Sequence, residues 1–380
     1  MSPEKNFTGD AKSLSYRLAN VLASVLLLAS LTTNALARDN PHARALGDSR
    51  LFTTLPADPG FPESIAVHAG RVYVSGGAQF GYFVPPAVLA YDLETGQQVA
   101  SYPLQGENPS FPMAGTGLAF GKNDMLYVGS LQQGVLRFDV DNPGAPMQHY
   151  ATALPDLPTC AFTPPGTPCS PTAVDSPPLI NDLVFDKNGN LYITDSFQAT
   201  IWRVPPGGGA PKIWFQSPVL DTSFGANGMR VGPKGDLAYF SLTFDAAGAG
   251  HILTVPLVPN PKPSDLKVFH SYTPGAGPDG IAFGKSGKLY VALAGYNQIS
   301  VLPPDGVEEE ARYSGPAANA SNPPQPLPWA NPSAIAFDDR SRSLLVANHA
   351  IFFPTPEQFF AVFDVFVDDK ADHLNEPHIP

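Results

Sequence analysis

Six times along this chain an apolar strand runs into a Gly/Asn/Asp turn and out again into a second apolar strand. The copies are "ESIAVHAGRVYVSG" from Glu63, "TGLAFGKNDMLYVGS" from Thr116 and "NDLVFDKNGNLYITDS" from Asn181. They continue with "NGMRVGPKGDLAYFS" from Asn227, "DGIAFGKSGKLYVAL" from Asp279 and "SAIAFDDRSRSLLVAN" from Ser333. Their starts lie between 46 and 65 residues apart. Each copy reads as a tight hairpin, because Asn and Gly supply the positive φ such turns need. Further short strands follow, such as "GVLRFDV" from Gly134 and "HILTVPL" from His251. About four short strands per repeat, six times over, predict an all-β chain folded as a six-bladed β-propeller. A β-helix would need a much shorter period, and a sandwich has no reason to be sixfold. The alternating "FFAVFDVFV", Phe359 to Val367, is expected to complete a blade with the segment near Ser49 to Leu55.

Residues 1–37 stand apart from this pattern. Lys5, Lys12 and Arg17 precede the apolar run Val21 to Leu31, and "ALA" at Ala35 to Ala37 offers a small-x-small cleavage site. That is the layout of a secretory signal peptide, with an uncleaved anchor as the other reading. The expectation is an exported protein cleaved near Ala37, with residues 38–380 forming a single propeller domain. No later stretch reaches 18 apolar residues, so stable membrane insertion is not expected. The net charge of -12 disfavours nucleic acid as a partner. Cys160 and Cys169 lie close together in the Pro-rich "CAFTPPGTPC". In an exported chain they are expected to form a loop-closing disulfide.

The chemistry is concentrated at the head of each repeat. The equivalent positions are Glu63, Thr116, Asn181, Asn227, Asp279 and Ser333, placed just before each first strand. First strands of a propeller line its central channel, so these side chains are expected at one mouth of it. Four of them carry hard oxygen donors. Two carboxylates and two amide oxygens suit Ca²⁺, or another hard divalent cation, with water completing the shell. No Cys or His at a blade head speaks for zinc or copper. Asn and Asp also favour turns, so turn chemistry alone is the competing reading. His68, His149, His251, His270 and His349 bear no regular relation to the heads, and no Ser/His/Asp arrangement is readable.

In this order, "ES" at Glu63, "IND" around Asn181, "ANG" around Asn227 and "PDG" around Asp279 resemble the calcium-dependent six-bladed hydrolases. These are the SMP-30/gluconolactonase group, with the paraoxonases and diisopropylfluorophosphatase. The resemblance runs from about Leu51 to Val367. It implies that Glu63, Asn181, Asn227 and Asp279 hold a catalytic calcium, with Asp279 as general base or nucleophile. It also implies a small-molecule lactone or ester as substrate. The sequence departs from the pattern in three places. Thr116 stands where paraoxonases have His, Leu179 where sugar-lactone members often have Arg, and Ser64 where a second-calcium Asp would be. Asp182 matches the other half of that second site, so it either orients its neighbours or binds a second ion. Thr116 and Ser333 are candidates for the substrate pocket, and Phe80, Tyr82, Phe83, Phe224, Trp329 and Phe352 for its walls. Two other propellers share the hairpin signature: a non-catalytic NHL-like binding or scaffold module, and a strictosidine-synthase-like fold with different chemistry.

Overall fold

In the computed structural model the described residues are 44–78, 84–121, 124–321 and 323–372. The expected export signal lies outside them, as do Phe80, Tyr82 and Phe83. Every strand among the described residues lies in one compact unit that begins at Leu46. The strands make six four-stranded antiparallel sheets. Five sheets are built in simple sequence order from the inside outward. The innermost strands are Ile65–His68, Gly115–Phe120, Ile180–Phe185, Ala226–Val231, Pro278–Phe283 and Pro332–Asp338. The expected six-bladed propeller is the observed fold.

The sixth sheet closes the ring. Its inner three strands come from the C-terminal part of the chain, and its outer strand is Ser49–Thr54, paired antiparallel with Ala361–Phe366. Leu55 N–H donates to Phe360 O, and Trp329 Nε1 donates to Ser49 Oγ at 3.1 Å. Trp329 is therefore not a pocket wall. It is buried at this closure, with Phe363 beside it.

Each blade buries both faces against its neighbours, which explains why its strands read as almost unbroken apolar runs. One core cluster joins Tyr127 and Val135 of the second blade to Leu183, Phe185 and Trp202 of the third. The next joins Ile201 and Phe215 of the third to Met229 and Phe240 of the fourth. Tyr127 meets Phe185 edge-on with ring centroids 4.9 Å apart, a favourable arrangement for two quadrupoles. The long second-to-third interval carries the Cys160–Cys169 disulfide, with Cα atoms 4.9 Å apart. Among the described residues no helix is long and apolar enough to cross a membrane.

Near the axis the blades have no room for side chains at certain positions. A Cβ on Gly117 would lie 2.6 Å from Asp182 Cα and 2.7 Å from Leu183 N, both backbone atoms of the next blade. Gly144 has nothing within 4 Å. Gly117→Ala is therefore expected to destabilise the fold by about 1–3 kcal/mol, as overpacking against rigid backbone does. Gly144→Ala should stay within about 0.5 kcal/mol of the parent. Urea unfolding midpoints of the two variants check this, and equal midpoints would refute it.

Candidate functional site

The head residues do not sit just ahead of their strands, as the repeat suggests. Thr116, Asn181, Asn227, Asp279 and Ser333 are each the second residue of an inner strand, and only Glu63 precedes one. At each of those five strands the pairing register slips next to the head residue, for example between Ile180 and Leu183 and between Pro278 and Ile281. A bulge leaves a residue unpaired and re-aims its side chain. In the third blade the amide freed by the bulge finds a side-chain acceptor on the neighbouring strand, Asp182 N–H donating to Thr194 Oγ1 at 2.9 Å. The first blade, whose inner strand pairs without a slip, has the corresponding bond from Ser64 N–H to Ser75 Oγ at 3.0 Å.

Glu63, Thr116, Asn181, Asn227 and Asp279 line one cavity of about 230 Å³ at the end of the channel where the inner strands begin. Ser333 is not among the lining residues. Its hydroxyl donates to Pro62 O at 2.9 Å, which ties the last blade to the first. Phe224 and Phe352 are in the wall. A second set of lining residues directly follows the second strand of a blade: Leu131, Thr243, Ala294 and His349. The repeat itself does not single out His349. Its signal was its place immediately after "LLVAN", where the second strand returns to the cavity end.

The cavity brings two carboxyl groups together. The Glu63 carboxyl is pushed up to about 8, chiefly by burial and then by the nearby Asp182 carboxylate. Burial, then Glu63 and Asp182, push the Asp279 carboxyl well above its ordinary value. Hydrogen bonds from Asn227 and the Gly280 N–H oppose that rise without cancelling it. His349 does not supply the missing positive charge. Burial lowers its ring to about 4, against the opposing effect of its hydrogen bond to Ala78 O at 2.7 Å. Its Nε2 lies 3.7 Å from Glu63 Oε2, within ion-pair range, but a neutral ring makes no ion pair.

Asp182 plays a different part. Its Oδ2 accepts from Arg230 at 2.6 Å and from the Met229 N–H at 2.8 Å, and its Oδ1 accepts from the Leu183 N–H. The Arg230 guanidinium is its countercharge, and these bonds make Asp182 a buried strut between two blades. Ser64 makes the matching link one pair of blades earlier, accepting from the Leu118 N–H at 3.1 Å.

Among the described residues no three His, Cys, Asp or Glu side chains gather as a metal group. The candidate set here is mixed, two carboxylates and two amides. Asn227 donates from Nδ2 to Thr243 Oγ1 at 3.0 Å, while its Oδ1 is buried without a hydrogen-bond partner. An orphaned amide oxygen beside two carboxyls that lack a cation is an arrangement that a hard divalent ion fits. Glu63, Asn181, Asn227 and Asp279 are the residues that could hold it.

With this geometry in view, the chain can be compared with known proteins. The profile of the SMP-30/Gluconolactonase/LRE-like region matches residues 169–324, which bears out the resemblance read from the sequence. No curated protein matches the chain by sequence. Among solved structures it is similar to regucalcin, a calcium-binding protein of Agrobacterium tumefaciens. The TM-score is 0.59 at 17% identity, over 88% of this chain and 97% of that one. A gluconolactonase of Xanthomonas campestris gives 0.53 at 18% identity, over 86% and 91%. Virginiamycin B lyase of Staphylococcus aureus gives 0.51 at 17% identity, over 84% and 99%. At these identities the solved structures show a common fold and nothing finer.

The raised carboxyls make a stability prediction for metal-free protein. A group whose pKa is higher in the folded state stabilises that state below its unfolded value. That contribution disappears as pH rises through the folded value. For Glu63 the window runs from 4.5 to about 8, and Asp279 shifts in the same direction. In EDTA the melting temperature should therefore fall across this window, and Glu63→Gln should flatten the fall. A melting temperature that is level or rising there would contradict the electrostatics described above.

Proposed function

We propose that this protein is a calcium-dependent hydrolase of ester-like bonds, a lactonase of the SMP-30/gluconolactonase type. One observation carries the reading: Glu63, Asn181, Asn227 and Asp279 share one cavity that holds two carboxyls, an orphaned amide oxygen and, among the described lining residues, no Lys or Arg. The profile match over residues 169–324 supports it independently. The leader-like N-terminus and the Cys160–Cys169 disulfide support export to an oxidising compartment.

When bound, Ca²⁺ would polarise the ester carbonyl and offset the negative charge that develops on its oxygen. The residues of the chain do the rest. Glu63 and Asp279 bring two negative charges, and Asn181 and Asn227 add neutral oxygens, so a divalent ion leaves the set electrically balanced. Asp279 is oriented by Asn227 and by the Gly280 N–H. It takes a proton from the attacking water at a carboxylate oxygen. The water oxygen bonds to the carbonyl carbon, the acyl C–O bond breaks, and the proton passes to the leaving oxygen. A lactone thus becomes a hydroxy acid, which ionises to its carboxylate at neutral pH. His349, held neutral against Ala78 O, shapes the wall beside Glu63.

Purified protein assayed against lactones and aryl esters should turn over at least one class with calcium and lose that activity in EDTA. Asp279→Asn and Asn181→Ala should each lower kcat/KM by about a hundredfold or more. Calcium-linked stabilisation without turnover of any substrate would instead identify a binding module. Turnover that survives both EDTA and the substitutions would place the chemistry elsewhere.

A further inference from the structure

The four oxygen donors occupy one part of the cavity wall, and hydrocarbon makes most of the rest. Leu131, Leu179, Phe224, Phe244, Ile351 and Phe352 line it. Among the described lining residues there is no Lys or Arg. The other polar lining groups are already engaged. Asn331 donates from Nδ2 to Ala294 O and accepts at Oδ1 from the Phe352 N–H. Thr243 accepts from Asn227, and His349 is bound to Ala78 O. Beyond the ligand set, only the Thr116 hydroxyl is buried there without a partner. A ring bearing several hydroxyls would press most of them against Leu and Phe, with no donor or acceptor to replace water.

The surface around the mouth points the same way. Chain segments 55–64, 104–114, 152–179, 217–225, 272–277, 315–331 and 349–360 connect strands at this end of the propeller. None of them contains a Lys or an Arg. They carry Asp58, Glu107, Asp156, Asp175, Asp221 and Glu357. Basic residues such as Arg71, Lys187, Lys234, Lys285 and Arg342 stand instead at the hairpin turns of the other end. The segments at the mouth thus carry acidic residues and no Lys or Arg, a balance that disfavours an anionic substrate and favours departure of a newly formed carboxylate. Phe352 lines the cavity while 73% of its surface stays open to solvent. Phe352 therefore carries aromatic surface from the cavity to the outside.

We infer that the substrate is an uncharged lactone or ester carrying a hydrocarbon tail, with the tail laid along Phe224, Phe244 and Phe352. Polyhydroxylated and anionic lactones are poor substrates. The inference rests on the hydrolase reading for the reaction but not for the pocket's preference, so the two are separable by experiment. With calcium present, kcat/KM is measured for δ-valerolactone, δ-dodecalactone and glucono-δ-lactone. Calorimetry measures binding of cyclohexanone and 2-heptylcyclohexanone, which have the ring and carbonyl but cannot be hydrolysed.

The tailed lactone should exceed the bare ring by about tenfold or more, the tailed ketone likewise, and the sugar lactone should fall below both lactones. Phe352→Ala and Leu179→Arg should shrink the tail advantage in both measurements. Phe162→Ala, at an exposed position that does not line the cavity, should leave it intact. Tail-independent rates and binding, or a sugar lactone that matches the tailed one, would overturn the inference while leaving the hydrolase reading standing. A tail advantage in ketone binding with no lactone turned over would support the pocket assignment and remove the hydrolase. No turnover and no tail advantage would remove both.

Discussion

Six inner strands must approach one axis closely, and the rest of the molecule is arranged around that crowding. At the position after the head residue, three blades use glycine. The space that a Cβ would need at Gly117, Gly228 and Gly280 is taken by the backbone of the next blade. Two other blades use that position for a polar reach instead, Ser64 to the Leu118 N–H and Asp182 to the Met229 N–H. Ser333 completes the circle through Pro62 O. The bulges that allow this packing are the same ones that bring Thr116, Asn181, Asn227 and Asp279 to the cavity. Packing and chemistry thus come from one backbone irregularity repeated around the ring.

Charge is divided between two layers. Asp182, one residue beyond the cavity set, is neutralised by Arg230 and by two backbone N–H groups. Glu63 and Asp279 have no Lys or Arg beside them among the described lining residues, and both carboxyls are pushed upward by burial. A protein built only for stability would not keep two mutually repelling carboxyls in one enclosed space, because desolvation and like charge both act against it. Strain of this kind concentrates at functional sites. The absence of Lys and Arg from the surrounding loops extends the same asymmetry to the mouth of the channel.

Much of this was readable in the chain. The repeat announced the blade number, and five of the six polar heads are residues that line the cavity, Ser333 being the exception. The segment near Ser49 was recognisable as the missing outer strand. Other features were not readable. Trp329 looked like a pocket aromatic and instead packs at the ring closure, because nothing local distinguishes the two settings. His349 looked like an ordinary strand-end residue. Its relation to Glu63 spans almost the whole chain and appears only when the sixth blade meets the first. Asp182 was legible as a special carboxylate, but its partner Arg230 lies in a different repeat, at a position where no other copy has a base.

The sequence by itself determined the elements, their order and the polar residue at each blade head. Period-two alternation, turn chemistry and a recurring unit are all local, and local patterns suffice for those decisions. The tertiary structure alone decided which polar groups share a cavity, which of them find a countercharge, and which are left unpaired. Those outcomes depend on distances between side chains far apart in the chain, and in a closed ring such distances are set only when the last blade packs against the first.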